Sequence, residues 1–80
     1  MENVKNAVDF IIKSLVNDAD SVKITCEQKG NDVDCFVLVA EEDIGRVIGR
    51  NGKVANAIRM VVRTIAKKDN FRVNIKIDKE

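Results

Sequence analysis

The stretch Val47-Ile48-Gly49-Arg50-Asn51-Gly52-Lys53 constrains the fold of this chain more than any other. Apolar residues recur with helical spacing on both sides of it, while glycines at 49 and 52 interrupt the pattern. Two helices must therefore meet across a four-residue turn. Glycine at both ends admits backbone conformations closed to other residues and lets a foreign backbone approach without striking a Cβ. The turn also opens the N-terminus of the second helix, whose free N–H groups and positive dipole end favour a phosphate. Arg50 and Lys53 add charge at the same place. An ordinary helix-helix turn also carries two glycines, so the motif takes its meaning from its surroundings.

Charge supplies the first of these. The net charge of +1 conceals a strong asymmetry. Met1 to Gly45 holds ten acids against four lysines, whereas Arg46 to Lys68 holds seven basic residues and no acid; Asp69 to Glu80 is balanced at three against three. The basic segment is expected to face an anion; a solvated helix face is the commoner origin of a charge run, but 23 residues without an acid strain that explanation.

Periodicity supplies the second. Val4, Ala7, Val8, Ile11, Ile12, Leu15 and Val16 predict an amphipathic helix, with Asn3 as its cap and an end near Asn17-Asp18. Val22, Ile24 and Cys26 alternate with polar residues up to Gly30-Asn31, and Val33, Cys35, Val37 and Val39 alternate beyond it, as in a β-hairpin. A turn centred on Gly30-Asn31 pairs Ile24 with Val37 and Cys26 with Cys35, placing both cysteines as reduced thiols on the apolar face; a longer loop would shift that register. Glu41, Glu42 and Asp43 stand where acids favour a helix start, and Ile44 to Ile48 make a short helix stopped by Gly49. From about Gly52 a longer helix carries an apolar arc of roughly 180° (Ala57, Val61, Val54, Ile65, Ile58, Val62, Ala55, Ala66) opposite an Arg59, Arg63, Lys67 ladder. Asp69-Asn70 ends it, and Phe71, Val73, Ile75 and Ile77 alternate as a last strand. The order α-β-β-α-α-β predicts an α+β fold, a three-stranded sheet covered on one face by helices. Its last two strands are joined by a crossover long enough to be parallel.

Several functions find no support in this pattern. The 80 residues make one domain, 1–80, that buries only about 60–65% of its unfolded surface and so has little room for a catalytic cavity. No apolar run approaches the roughly 20 residues of a membrane span, and the N-terminus lacks a signal-peptide pattern, so a cytoplasmic location without membrane contact is expected. Two cysteines and no histidine do not build a zinc site, and no metal or other cofactor is expected. With no histidine, general acid-base chemistry has few candidates. The glycine spacing matches neither the dinucleotide fingerprint nor the P-loop, so neither an enzyme nor a small-molecule substrate is expected.

A Gly-x-x-Gly turn joining two helices, inside the acid-free segment and the α-β-β-α-α-β order, resembles a KH domain of type II, over essentially the whole chain. The stretch Asp43-Ile44-Gly45-Arg46-Val47-Ile48-Gly49-Arg50-Asn51-Gly52 is most similar to small bacterial single-KH RNA-binding proteins. The resemblance implies single-stranded RNA as partner, clamped over about four nucleotides. It implies Gly49, Arg50, Asn51 and Gly52 as the clamp, with Ile44, Gly45, Val47 and Ile48 before it as one wall of an adjoining apolar groove for the bases, Arg46 among them, and Lys53 reaching phosphate. Core packing of the short helix is the other reading of Val47 and Ile48. Arg59 and Arg63 would add phosphate contacts. The sequence departs from the usual pattern at Ala55, where many such domains carry isoleucine, which implies a shallower groove. The resemblance further implies a role in RNA regulation or chaperoning, and a homodimer or a heterodimer with a larger KH-containing protein. Because one-sided burial needs only about 100° of arc, one flank of the long helix is left over, either Val62, Ala55 and Ala66 or Ala57 and Val61. Lys53 and Lys68 border Ala57 and Val61 as a polar rim borders an interface, and these two are therefore expected to form it. A protein-interaction module built on that flank is the alternative reading.

Overall fold

In the computed structural model, which describes residues 2–80, the chain builds α1 (Glu2–Leu15), β1 (Lys23–Lys29), β2 (Asp32–Val39), α2 (Ile44–Ile48), α3 (Lys53–Lys67) and β3 (Arg72–Lys79). This is the expected α+β order, in the arrangement of a type II KH-like fold. Short 3₁₀ turns at Ala19–Ser21, Glu41–Asp43 and Arg50–Gly52 connect the elements. The sheet order is β1-β2-β3, with β1 antiparallel and β3 parallel to β2.

The hairpin has the register that a Gly30-Asn31 turn dictates: Ile24 lies opposite Val37 and Cys26 opposite Cys35. Gly30 takes a left-handed φ of 58° at the first central position of the turn. Because side chains alternate across a strand, this register sends Val33, Cys35, Val37 and Val39 to one face, where all are buried. Val73 and Ile75 of β3 extend the same face. Val4, Val8 and Ile12 of α1, Val47 of α2, and Ala55, Ile58, Val62 and Ala66 of α3 cover it. The opposite face carries half-exposed Phe36 and Leu38 among polar neighbours.

The cysteine sulfurs lie 2.7 Å apart, and burial, followed by the Cys26 hydrogen bond, pushes the Cys35 thiol up to about 12. Cys35 is buried as expected, but Cys26 is only half-buried because β1 is an edge strand that the helices cover incompletely. The expected Asn3 cap is also corrected. The first helix already includes Glu2, so Asn3 lies within its opening turn. At the other end of the long helix, Asn70 adopts φ 61° and donates its N–H to Lys67 O, while Phe71 N–H reaches Ala66 O at 3.0 Å. This Schellman-type ending turns the chain back so that β3 runs antiparallel beside α3.

The acids at 41–43 form the 3₁₀ turn that runs directly into α2, as expected of a helix start, but they do not share one environment. Asp43 alone is drawn inside, fully buried, where Oδ1 accepts the Asn17 N–H at 3.1 Å and Oδ2 the Asp18 N–H at 3.0 Å. These donors follow the end of α1, so one carboxylate ties that end to the beginning of α2. The two backbone bonds, Asn17 first, hold the Asp43 carboxyl below the usual aspartate range against the opposing effect of burial. A carboxylate depressed on folding stabilises the fold above the unfolded pKa of about 4, and that contribution is lost as pH falls through the lower folded value. In Asp43→Asn one of the two backbone donors must face an amide NH2. The thermal midpoint at pH 7 is therefore expected to fall by about 5 °C or more. Thermal melts from about pH 6 to pH 3 should show a smaller acid-induced loss in the variant than in the parent.

Candidate nucleic-acid interface

The chain between Asp43 and Lys53 is shaped by what each residue touches. Within α2, Val47 points into the core and is fully buried, Ile44 and Ile48 are half-buried, and Gly45 and Arg46 face outward. The expectation that Val47 helps form a groove wall is thereby corrected: its side chain supports α2 from beneath and offers no surface to a ligand. Arg46 lies beside Asp43, with Nε 3.6 Å from Oδ1. At Gly49 the backbone takes φ 75° and ψ 173°, a region open essentially to glycine alone. A Cβ at Gly49 would also strike the Val54 side chain and come within 2.9 Å of the Val54 backbone nitrogen. The end of α2 can therefore lie against the first turn of α3 only because residue 49 has no side chain.

Asn51 (φ 58°, ψ 25°) and Gly52 (φ 75°, ψ 14°) follow as consecutive left-handed residues, a conformation asparagine tolerates better than most side chains. Gly52 N–H closes the turn on Gly49 O at 3.2 Å. Nothing lies within 4 Å of where a Gly52 Cβ would stand, so this side of the turn is open to an approaching chain. Arg50, Asn51 and Lys53 are exposed, and among the described residues no side chain caps the start of α3. Neither Arg50 nor Lys53 has an ion-pair partner among the described residues. Ala55, the departure from the usual pattern, is buried beside Ile58, with Val54 packed partly against the core.

From the turn, α3 runs beside β3. Arg59 does not stand free with Arg63 and Lys67. Its Nε donates to Ile75 O at 3.3 Å and its Nη1 to Asn56 Oδ1 at 3.2 Å. The cause is the sheet order: among the described residues β3 pairs only with β2, leaving outward carbonyls that need donors, and Arg59 supplies one. The basic ladder thus follows the free edge of the sheet, which the periodicity of α3 alone does not reveal. At its far end Arg63 and Lys67 meet Phe71, Arg72, Val73 and Asn74 around a cavity of 260 Å3. The last four were legible only as the start of a strand. Their proximity to the ladder follows from the Asn70 reversal. On the outer side of α3, Ala57 and Val61 are exposed, as is Met60.

A family model described as KhpA/KhpB, KH domain, matches residues 5–77. A protein of Borreliella burgdorferi named RNA-binding protein KhpA is 37% identical over 70 residues, covering 88% of this chain and 85% of its own. Proteins of the same name from Clostridium acetobutylicum (38% over 74 residues, 92% and 99% covered) and Chlamydia trachomatis (32% over 77 residues, 96% and 99%) are similar over nearly their full lengths. No solved structure gives a significant match.

The two glycines of the turn are expected to respond differently to substitution. Gly52→Ala meets open space and incurs only the left-handed penalty of about 1–2 kcal/mol, whereas Gly49→Ala adds a collision with Val54. Chemical denaturation should rank Gly49→Ala as the less stable by at least about 1 kcal/mol. Equal losses would show that the contact with Val54 relaxes freely.

Proposed function

Because the chain belongs to the KhpA/KhpB KH-domain family, we propose that it is a single KH module, residues 1–80, that binds single-stranded RNA through the Gly49–Gly52 turn. The observation that carries this reading is the turn itself. Arg50 and Lys53, without an ion-pair partner among the described residues, flank an open backbone at the start of α3, which no described side chain caps. Phosphates lie over Gly49, Arg50, Asn51 and Gly52, while Lys53 and the helix start contribute positive potential. Ile44, Gly45, Ile48 and the outward edge of β3 offer apolar and main-chain surface to the bases, and Arg46 and Arg63 add charge along the path. Arg59 contributes as a fixed guanidinium at the sheet edge. The protein is a binder and not an enzyme, takes no cofactor, and acts in the cytoplasm in RNA regulation or chaperoning. No helix among the described residues is long and apolar enough to cross a membrane.

In this reading Arg50→Asp combined with Asn51→Asp places two anions against the phosphate backbone at a turn outside the core. The double variant should retain its circular dichroism spectrum and lose at least tenfold in affinity for a single-stranded RNA oligonucleotide. The parent's affinity should fall with salt at a log-log slope of about −2 to −3, that is, three or four neutralised phosphates. Unchanged affinity in the folded double variant would remove the clamp.

A dimer is the second part of the proposal, favoured by one observation. On the outer flank of α3, Met60 is 68% and Val61 49% exposed, beside exposed Ala57, in a helix whose inner side is already buried. A second copy, or a larger KH-containing partner, would cover this flank. Sedimentation at tens of micromolar should show a parent dimer, and Val61→Asp a folded monomer. A monomeric parent would refute self-association.

A further inference from the structure

Resting on the RNA-binding reading, we propose that the cavity between the C-terminal half of α3 and the start of β3 is a nucleobase-stacking subsite. It takes an unpaired base of the same strand, beyond the nucleotides held at the Gly49–Gly52 turn. Lys67 follows Lys53 by fourteen residues, placing the cavity about 21 Å along the helix from the turn. The two sites therefore do not compete for one nucleotide, and the strand must pass the Arg59-covered edge of β3 to join them.

The chemistry of the lining selects this occupant. Phe71 and Val73 give the 260 Å3 cavity an apolar side, and Arg63 and Lys67 stand one helical turn apart at its rim. Neither cation has an ion-pair partner among the described residues. Arg72 is neutralised, with Nε 3.0 Å from Asp32 Oδ1, and Asn74 donates its amide to Asp34 Oδ1 at 3.3 Å. The uncompensated charge thus lies on the helix side, where a phosphate would sit, and the aromatic lies next to it, where the attached base would stack. A second cleft of 540 Å3, bounded also by Asn31 and Asn70, shares Lys67, Phe71 and Arg72 and leaves an exit for the chain. The other two phenylalanines lack this setting: Phe10 stands exposed on α1, and Phe36 borders Asp34 on the outer sheet face. Phe71 is held rigidly for stacking by its own N–H bond to Ala66 O at 3.0 Å and by partial packing on the core.

Fluorescence anisotropy with random-sequence RNA pools of four and ten nucleotides tests the subsite. Phe71→Leu keeps an apolar side chain against the core and removes the stacking face; Lys67→Gln alters only the exposed rim. Each should weaken the ten-nucleotide pool by about five- to tenfold and leave the four-nucleotide pool unchanged. Phe71→Trp should retain parent affinity for the longer pool. If both weakening variants keep parent affinity for ten nucleotides while four nucleotides still bind, the subsite is refuted and the turn stands. If Phe71→Leu weakens both pools equally, Phe71 acts through the fold and the subsite is again refuted. Failure of the parent to bind either pool would overturn the RNA reading and the subsite with it.

Discussion

The placement of the candidate interface depends on the buried carboxylate of Asp43. A charge removed from water is tolerated only when its oxygens are satisfied, and here each accepts one main-chain N–H from the segment after α1. The constraint acts in both directions. The carboxylate needs that segment to survive burial, and the segment needs the carboxylate because its N–H groups have left the helix. α2 has only five residues and would not persist as an isolated helix. It is held at its start by Asp43, in its middle by Val47 in the core, and at its end by the close approach of Gly49 to Val54. With three attachments on so short an element, the turn that follows has little freedom in where it points.

Placement of charge follows from the same packing. The helices turn their apolar sides to the sheet, so the cations of the acid-free segment are left along the outside of the turn and the side of α3. Sheet order then makes β3 an edge strand, and the edge and the basic ladder come to lie together. Arg59 is the point of contact, satisfying a carbonyl of the strand while keeping a positive charge there. The turn, the ladder and the Phe71 cavity form a line along α3, and the acids of the first half of the chain are mostly elsewhere. The two nearest to the cavity, Asp32 and Asp34, are engaged by Arg72 and Asn74.

Much of this was legible in the residues. Alternation about Gly30-Asn31 dictated the hairpin register, because a slip of one residue would have turned every apolar side chain of β2 to the wrong face. The bounds of α2 followed from Ile44 and Gly49, and the positive φ values at 49 and 52 from the glycines themselves. Other features were not. Asp43 looked like its neighbours Glu41 and Glu42, since nothing local marks which of three acids will find distant donors. Val47 and Ile48 are adjacent apolar residues on a short helix, and only the direction of that helix separates the buried one from the half-exposed one. Asn3 had the chemistry of a cap, yet the helix begins before it.

By itself the sequence determined the element order, the hairpin register, the glycine turn and the concentration of positive charge in one segment. These are consequences of spacing, of backbone freedom at glycine and of composition, all of which act between residues close in the chain. Tertiary structure alone decided which acid is buried, which arginine guards the sheet edge and which aromatic residue joins the basic ladder. Each of these is a meeting of groups far apart in sequence: Asp43 with Asn17 and Asp18, Arg59 with Ile75, and Lys67 with Asn74 around one cavity. The energy of such a contact depends on distance and desolvation in the folded chain, and neither quantity exists until the chain has closed on itself.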